Sequence, residues 1–411
     1  MALIVQKYGG TSVADVDRIK IVANKVKNEI EKGNQVVVIL SAMSGVTNSL
    51  VKFCNDITTF YDNREYDAVV ATGEQVTIGL LAIALQNMGI KARSYAGWQV
   101  PIITDNAFGK ARIKEIKPDN LLKSLENGEV PIIAGFQGIE IESGRVATLG
   151  RGGSDTSAVA VAAAINADCC DIFTDVEGVY TTDPRIVKVA KKLEKITFEE
   201  ILEMASLGAK VLQTRSVELA MKYKVKLRVL SSFVDAPGTL ICSEDEIVEK
   251  EVISGITYNK DEAKFTLVNI DDVPGVSANI FKVMSNAGIN VDMIVQSVSS
   301  GTKTNMTFTV PDSEFEKAKK AIEANKDLLN YESFLFDRKV VKVSIVGIGM
   351  KSHSGVAETM FRALAEKNIN IMAISTSEIK ISVLIADEYT ELALRVLHTA
   401  FGLDKEISEK E

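Results

Sequence analysis

Histidine, cysteine and tryptophan are scarce in this chain. Its 411 residues include two His, four Cys and one Trp. Both histidines, His353 and His398, lie in the C-terminal part, so a histidine triad or a histidine-rich metal site in the N-terminal half is excluded. The cysteines have no metal-type spacing, and two of them are the neighbours Cys169 and Cys170. This pattern favours reduced thiols and a cytoplasmic location, and we predict no metal site built from protein ligands alone.

Long apolar runs and an excess of basic residues are missing too. The longest fully apolar run, residues 158–165, is far shorter than a membrane span. The first residues lack a basic region and reach Gly9-Gly10 too early for a signal peptide. The formal net charge is −8, whereas a nucleic-acid-binding protein needs a basic surface. We therefore expect a protein that binds neither membranes nor nucleic acid.

The rest of the composition, 46% hydrophobic and 25% charged residues, is that of an ordinary globular protein. At about 150 residues per domain, the length predicts two or three domains. Over roughly the first 240 residues, strand-like apolar runs alternate with helical patterns. The strand-like runs lie at 3–7, 35–42, 130–135, 171–174 and, more weakly, 227–231. Such runs are typical of strands covered on both faces, so we predict an α/β domain around a mainly parallel sheet.

The chain repeats itself beyond the charged segment at 243–251. Residues 275–281 resemble 355–361 at an offset of 80 residues. The same offset aligns Ile289-Asn290 with Ile369-Asn370, Ile294 with Ile374, and Ser297 with Ser377. We interpret the repeat as two copies of a small βαββαβ unit.

The second copy lacks a final strand, whereas the first copy has one at 333–337. Residues 252–258 are strand-like and precede the first copy. We predict that they complete the sheet of the second copy, so that the first copy is inserted within the second. The predicted domains are therefore 1–245, 263–337, and 252–262 together with 338–404.

A glycine-rich turn, Lys7-Tyr8-Gly9-Gly10-Thr11-Ser12, follows the first strand and precedes the first helix. Its glycines let the backbone approach a ligand, the helix N-terminus offers free N–H groups, and Lys7 adds a positive charge. These features suit phosphate binding. A plain strand-to-helix turn capped by a hydroxyl explains the same residues. No Walker A sequence occurs in the chain.

A second glycine-rich turn, Gly150-Arg151-Gly152-Gly153-Ser154-Asp155, also opens a helix. Its arginine suits bidentate recognition of a carboxylate or phosphate, and Asp155 either orients a cation or caps the helix. Residues 174–185 form a long polar loop after a buried strand, where open α/β sheets place ligands. A β-hairpin or a turn closed by Asp183-Pro184 is the alternative.

The N-terminal half thus offers lysine, arginine, carboxylates and backbone amides, without an obvious covalent nucleophile. That set of groups is typical of phosphoryl transfer. Two weaker signals, the hydroxyl-bearing segment 41–47 and Glu74 near a helix start, fit either ligand binding or helix capping.

Together, the segments 7–12, 151–155 and 174–185 resemble the motifs of the aspartate kinases. The resemblance covers essentially the whole chain, since the doubled unit has the pattern of the two ACT regulatory domains of that family. It implies an amino-acid kinase-type α/β sandwich plus two ferredoxin-like ACT domains. Tyr8 stands where phenylalanine is usual. We expect a monofunctional enzyme, because the homoserine dehydrogenase half of bifunctional relatives does not follow the repeats.

The resemblance implies transfer of the ATP γ-phosphoryl group to the side-chain carboxylate of L-aspartate. The product is 4-phospho-L-aspartate, at the entry to lysine, threonine and methionine biosynthesis. The implied catalytic residues are Lys7, Asp155 and Arg151, with Asp155 orienting Lys7. The implied aspartate pocket comprises Ser41, Thr47, Glu74, Arg151, Gly152, Gly153 and Ser154. The implied nucleotide site comprises Lys7, Gly9, Gly10, Ser12, Thr174, Asp175, Tyr180, Arg185 and Lys210. Mg²⁺ is expected to arrive with ATP.

The resemblance also implies that the ACT units bind end-product amino acids where ACT domains meet. The implied effector positions are Asp272, Gly275, Ser277, Asn290 and Gln296 in the first copy and Ser375, Thr376, Ser377 and Glu378 in the second. Inhibition by threonine, lysine or both is expected, and shared ACT interfaces imply a homo-oligomer. A turn residue at Asn290 and a helix cap at Asp272 are the plain structural alternatives.

Two other functions fit parts of the pattern. Acylglutamate, glutamate and uridylate kinases share the fold, but Glu74 with Arg151, the first motif and the doubled ACT unit favour aspartate. An amino-acid sensor with a degenerate kinase domain is the second alternative, and the presence of all the expected catalytic side chains favours the enzyme. Formation of ADP separates the enzyme from the sensor.

Overall fold

The chain divides into two compact units. The computed structural model describes residues 1–209, 211–247, 252–297 and 301–405. The first unit comprises residues 1–179, 192–205 and 210–248, and the second comprises 180–191, 206–209 and 249–411. Two short segments, 180–191 and 206–209, thus belong to the second unit, although both lie before the domain boundary expected at residue 245.

The first unit contains the strands β1 to β12. They are β1 Leu3–Tyr8, β2 Gln35–Leu40, β3 Ala92–Tyr95, β4 Ile102–Thr104, β5 Ile113–Ile116, β6 Val130–Ala134, β7 Gln137–Glu140, β8 Arg145–Thr148, β9 Cys169–Thr174, β10 Lys195–Thr197, β11 Leu227–Ser231 and β12 Thr239–Cys242. The helices of this part of the chain are α1 Val16–Glu31, α2 Val46–Ile57, α3 Asn63–Val70, α4 Thr72–Asn87, α5 Asp119–Glu126, α6 Gly153–Ala164, α7 Phe198–Ser206 and α8 Thr214–Tyr223.

Within the described residues, eight strands form one sheet in the order β10-β12-β11-β9-β1-β2-β6-β3. All neighbouring strands are parallel except β11 and β12. Helices α1, α4 and α6 pack on the sheet and bury its apolar runs, which include residues 36–40. The mainly parallel α/β sheet predicted from the continuous apolar runs is confirmed.

A smaller sheet, β5-β4-β7-β8, extends from the same unit. Its strand β8 leads directly into the second glycine-rich turn and then into α6. Because β1, β2, β6 and β9 run parallel in the large sheet, their carboxyl ends lie along one edge. Open α/β sheets bind their ligands at that edge.

One helical stretch among the described residues, Asn63–Asn87, is long and apolar enough to cross a membrane by length and composition alone. It joins α3 to α4, and half of its most apolar window is buried in the protein. Leu81 and Leu85 of α4 are fully buried in the core that α4 shares with α1. The core helices of globular proteins pass the same test.

The second unit contains two four-stranded sheets among its described residues, in the orders β15-β16-β14-β17 and β13-β18-β20-β19. The strands are β13 Gly255–Asn259, β14 Ala263–Asp271, β15 Ile294–Ser297, β16 Lys303–Val310, β17 Ser333–Asp337, β18 Val340–Val346, β19 Ala373–Thr376 and β20 Lys380–Ala386. The helices are α9 Val276–Asn286, α10 Phe315–Ala324, α11 Lys326–Leu329, α12 Val356–Ala365 and α13 Thr390–Ala400. Strand β13, in the stretch expected to complete the second copy, pairs antiparallel with β18.

The segment 180–191 belongs to the second unit because its apolar side chains lie in the core of the second copy. Val187 is 3% exposed and packs in the cluster that contains Ile256 and Leu397. Thr181 accepts a backbone hydrogen bond from Ile256 at 2.7 Å, and its hydroxyl hydrogen bonds with His398 at 2.9 Å. Burial and hydrogen bonding therefore hold this segment in the second unit.

Candidate active site

Lys7 and Asp155 meet at the carboxyl edge of the large sheet. The Lys7 Nζ lies 2.6 Å from Asp155 Oδ1, and the two side chains are only 11% and 12% exposed. Lys7 is near the end of β1 and Asp155 is in the first turn of α6. A Cβ at Gly9 would lie 3.3 Å from Lys7 Nζ, so glycine at this position leaves room for the ammonium group. The structure thus joins the first and second glycine-rich turns through one mostly buried ion pair.

The turn that carries Arg151 has a left-handed backbone at two glycines. Gly150 has φ 73° and Gly152 has φ 67°, which glycine adopts without steric cost. The amide of Gly153 donates to the Gly150 carbonyl at 3.0 Å, and α6 begins there. Arg151 is exposed and makes no ion pair with the residues that the structure describes. Its guanidinium is therefore available to a carboxylate ligand.

Glu74 is a buried carboxyl group with one oxygen left without a partner. It lies in the first turn of α4 and is 2% exposed. Its Oε1 accepts a hydrogen bond from the Ala42 amide at 3.2 Å, whereas Oε2 has no partner among the described residues. Burial raises the pKa of Glu74 from 4.5 to about 7. A ligand that carries an ammonium group would satisfy Oε2 and favour the ionised carboxylate.

Close backbone contacts bring the ends of β2 and β6 to the starts of α4 and α6. A Cβ at Gly73 would lie 2.7 Å from the Ala42 Cβ, and one at Gly135 would lie 2.9 Å from the Ser154 Cβ. The Ser41 carbonyl accepts from the Thr77 hydroxyl at 2.9 Å. Of the other implied pocket residues, Thr47 lies in the first turn of α2, and Gly152, Gly153 and Ser154 lie at the start of α6.

The residues implied for the nucleotide do not all lie together in the structure. Gly9, Gly10, Thr174 and Asp175 lie at the ends of β1 and β9, where the Gly9 amide donates to the Phe173 carbonyl at 3.4 Å. Ser12 is fully buried and its hydroxyl hydrogen bonds with that of Ser232. Tyr180 and Arg185 lie in the second compact unit. Lys210 lies outside the described residues.

Two residues near the site were not anticipated from the sequence. Phe136 follows β6 with φ 68°, a left-handed conformation that is strained for a large side chain. Its carbonyl accepts from the Leu149 amide at 2.8 Å, just before the Arg151 turn. The flanking Gly135 and Gly138 signal a turn but do not reveal this φ angle.

Asp67 on α3 is the second unanticipated residue. It is fully buried and accepts hydrogen bonds from the amides of Gly109 at 2.9 Å and Thr148 at 2.8 Å, and from the Thr148 hydroxyl at 2.6 Å. Burial raises its pKa in spite of these bonds. Asp67 therefore ties α3 to the strand that leads into the Arg151 turn.

Cys169 and Cys170 are poor candidates for a nucleophile at this site. All four are free thiols. Burial raises the pKa of Cys169 to about 12 and raises that of Cys170 strongly. A thiol with so high a pKa is protonated at neutral pH and is a poor nucleophile.

The described residues form no group of three or more His, Cys, Asp or Glu side chains that could enclose a metal ion. Mg²⁺ usually takes one or two carboxylates and completes its shell with phosphate oxygens and water. Two carboxylates, Asp155 and Asp175, lie at the carboxyl edge of the sheet. The donor set at this edge fits a magnesium ion that is bound mainly through a nucleotide.

Most of the implied effector positions in the second unit are exposed, whereas Ser277 and Ser375 are half-buried. Gly275 precedes α9 with φ 98°, and the Gln296 amide group donates to Asp272 at 3.4 Å. Strand β15, which carries Gln296, lies beside β19. Met293, just before β15, and Ala373 of β19 are buried in one small cluster with Val340 and Leu384. The remaining positions are Ser277 on α9, Asn290 in the turn before β15, Ser375 and Thr376 on β19, and Ser377 and Glu378 just after it.

Comparison with known protein families supports both parts of this architecture. The amino acid kinase family matches residues 2–231, and the ACT domain matches residues 268–325 and 343–401. The chain is 55% identical to an aspartate kinase from Pseudomonas putida over 405 residues, which are 98% of each chain. It is 54% identical to an aspartokinase from Pseudomonas aeruginosa over 406 residues, again 98% of each chain.

Solved structures show the same similarity. Escherichia coli aspartokinase III in complex with aspartate and ADP has a TM-score of 0.78 at 26% identity, over 97% of this chain and 99% of that one. The same enzyme in complex with lysine and aspartate has a TM-score of 0.77 at 26% identity, with the same coverage. The similarity therefore extends over the catalytic and regulatory parts together. From its fold, its two glycine-rich turns and these near full-length relatives, the chain belongs to the aspartate kinases of the amino acid kinase family and carries ACT regulatory domains.

Proposed function

We propose that Lys7, Asp155, Arg151 and Glu74 form the site in which this enzyme phosphorylates the side chain of L-aspartate. The observation that carries the proposal is the ion pair of Lys7 with Asp155, 2.6 Å long and mostly buried, at the carboxyl edge of the sheet. A lysine fixed in this way can neutralise charge on a phosphoryl group without a further conformational cost.

The proposed step is an in-line transfer. An oxygen of the aspartate side-chain carboxylate attacks the γ-phosphorus of ATP and forms a new P–O bond. The bond from that phosphorus to the bridging β,γ-oxygen breaks, and ADP leaves with the bonding electrons. The products are 4-phospho-L-aspartate and ADP. In this proposal Lys7 stabilises the charge on the transferred group, and Asp155 holds its ammonium in place.

In the proposed aspartate pocket, Arg151 binds a substrate carboxylate and Glu74 binds the ammonium. Arg151 is exposed on a glycine turn, and Glu74 has a buried carboxylate oxygen without a described partner. An L-aspartate molecule carries both of the charges that these groups complement. Five further residues are proposed to complete the pocket, because they lie just after β2 or at the starts of α2 and α6. They are Ser41, Thr47, Gly152, Gly153 and Ser154.

The nucleotide is proposed to lie along Gly9, Gly10, Thr174 and Asp175, with Ser12 as a further member of its site. The roles implied for Tyr180, Arg185 and Lys210 stay predictions from the family resemblance. Glycines at this turn let phosphate oxygens approach the backbone closely. Magnesium bound with ATP would neutralise phosphate charge, and Asp155 and Asp175 are the carboxylates that would hold it.

The two ACT units are proposed to bind threonine, lysine or both and to inhibit the enzyme. The effector positions on β15 and β19 lie on neighbouring strands of the second unit, and a related enzyme has been solved in complex with lysine and aspartate. We further propose a cytoplasmic homo-oligomer that acts at the entry to lysine, threonine and methionine biosynthesis. The proposed domains are 1–245 for catalysis, and 263–337 and 252–262 with 338–404 for regulation.

The experiment that tests these proposals measures ADP release from Mg·ATP with L-aspartate and traps the acyl phosphate as its hydroxamate. It is run with and without threonine and lysine, singly and together. Aspartate-dependent ADP and hydroxamate, suppressed by either amino acid, are expected. Activity without any inhibition would reject the effector proposal and keep the catalytic one.

Two further results would contradict the catalytic proposal. Turnover with another carboxylate but not with aspartate would show that the pocket residues have other partners. If no acceptor yields ADP although an amino acid binds tightly, the protein is a sensor on a kinase scaffold.

A further inference from the structure

Arg215, on α8, bridges two backbone carbonyls next to the turn that carries Arg151. One guanidinium nitrogen donates to the Leu149 carbonyl at 2.8 Å, and the other donates to the Ala111 carbonyl at 2.9 Å. Arg215 is half-buried. Two carbonyl acceptors on different segments suit the planar fork of an arginine, which presents parallel N–H groups in a fixed geometry.

The two carbonyls lie where paired backbone gives way to the glycine turn. The Ala111 amide donates to the Thr148 carbonyl at 2.9 Å, so these segments are still paired one residue before Leu149. The next residue, Gly150, begins the left-handed turn. Arg215 therefore holds the backbone at Leu149, immediately before the turn that carries Arg151.

Gln213, the N-cap residue of helix α8, also supports the turn. A Cβ at Gly152 would lie 2.1 Å from the Gln213 side chain, so the turn backbone packs directly on Gln213. On another side, a Cβ at Gly150 would lie 3.3 Å from the Gly109 carbonyl. The turn is thus enclosed by α8 and by the segment before β5, while the Arg151 side chain remains exposed.

We propose that Arg215 is a positioning residue for aspartate binding, and that it acts by holding the turn in the geometry from which Arg151 reaches the substrate carboxylate. The inference rests on the proposed function. Arg215 itself donates to backbone carbonyls and does not contact substrate. Its loss would leave two carbonyls without their donors and free the turn to move, and displacements near 1 Å at a site lower rates by about 100-fold in other enzymes.

The test compares Arg215→Met and Arg215→Lys with the wild type and with the control Arg93→Met. Arg93 lies on the edge strand β3, is exposed, and stacks on Tyr95. Arg215→Met is expected to raise the KM for aspartate about tenfold or more, with the KM for ATP changed less than about twofold. Arg215→Lys, which retains the charge and a single donor group, is expected to show a smaller rise, and Arg93→Met none. If Arg215→Met does not fold, the lysine variant decides the question.

A double-mutant cycle with Arg151→Lys tests whether Arg215 acts through Arg151. If it does, the combined variant should have a KM for aspartate close to that of Arg151→Lys alone. An additive effect, or equal rises in the KM of aspartate and of ATP, would overturn the inference. Unchanged KM values for the Arg215 variants in an active enzyme would overturn it too. A wild type that does not phosphorylate aspartate would instead overturn the proposed function, and this inference with it.

Discussion

The ammonium of Lys7 and the carboxylate of Asp155 lie 2.6 Å apart and join the end of β1 to the first turn of α6. Each comes from a different glycine-rich turn, so neither turn can shift without stretching the ion pair. Both side chains are nearly nine-tenths buried, which strengthens their interaction relative to a surface pair. The pair therefore fixes the Lys7 ammonium, beside the Asp155 carboxylate, at the carboxyl edge of the sheet.

Replacement of Lys7 by alanine is expected to lower kcat by at least about 100-fold, because the charge proposed to stabilise the transferred phosphoryl group is lost. Aspartate binding, measured by calorimetry, should change little, since Arg151 and Glu74 remain. Lys20→Ala is the control, because Lys20 forms an exposed ion pair with Asp17 on the surface of α1. Near-wild-type turnover of the Lys7 variant would contradict the assigned role.

The large sheet was predictable because its central strands are continuous apolar runs. The run at residues 35–42, for example, is typical of a strand that is covered on both faces. The meeting of Lys7 and Asp155 was expected only from the family resemblance, since the pattern of residues does not say which turns lie side by side. The left-handed Phe136 was not predictable, because its φ angle is imposed by tertiary packing that a local pattern cannot express.

The membership of segment 180–191 in the second unit has a similar explanation. Locally the segment is a polar loop after β9, and its few apolar residues give no helical or strand period. Val187 is buried because Ile256 and Leu397, distant in sequence, surround it. Asp67 was also missed, since its three hydrogen-bond donors come from Gly109 and Thr148.

The affinity for aspartate is expected to depend on pH through Glu74, whose pKa burial raises to about 7. The proposed partner of the substrate ammonium is the ionised carboxylate, so kcat/KM for aspartate should fall by up to about tenfold for each pH unit below 7. Rate profiles between pH 5.5 and 8.5 measure this. Glu74→Gln should have a lower kcat/KM at pH 8 and lose this slope. A profile identical in the variant and in the wild type would show that another group titrates.

The same carboxyl group is expected to cost stability at high pH. Because the folded pKa is raised above the ordinary 4.5, the folded state favours the proton, and stability is lost as pH rises from about 4.5 through 7. A shift of this size corresponds to about 3 kcal/mol. Relative to the wild type, Glu74→Gln should therefore gain up to about 3 kcal/mol in unfolding free energy between pH 5 and pH 8. Urea unfolding of the ligand-free protein at both pH values measures the gain.

A surface carboxylate provides the control for that comparison. Asp17→Asn alters an exposed residue of α1 and should show no such gain with pH. If the change in unfolding free energy caused by Glu74→Gln is the same at pH 5 and pH 8, burial does not raise the pKa of Glu74, and this prediction is wrong.

In the second unit, His398 is expected to make stability depend on pH in the opposite direction. It is fully buried, its Nε2 lies 2.9 Å from the Thr181 hydroxyl, and Nδ1 has no partner among the described residues. Burial lowers the pKa of His398 below 6.5, and the positive charge of Lys191 lowers it further. The negative charge of Asp404 acts in the opposite direction but is weaker than the effect of burial. The unfolded chain then binds a proton that the folded chain does not, so stability is full above pH 6.5 and falls as the pH drops below it.

Thermal unfolding between pH 5 and 7.5 should show this fall in the wild type and a weaker fall in His398→Gln. His353→Gln, which alters the exposed histidine, should retain the wild-type fall. Equal slopes in the wild type and in His398→Gln would show that His398 does not control this transition.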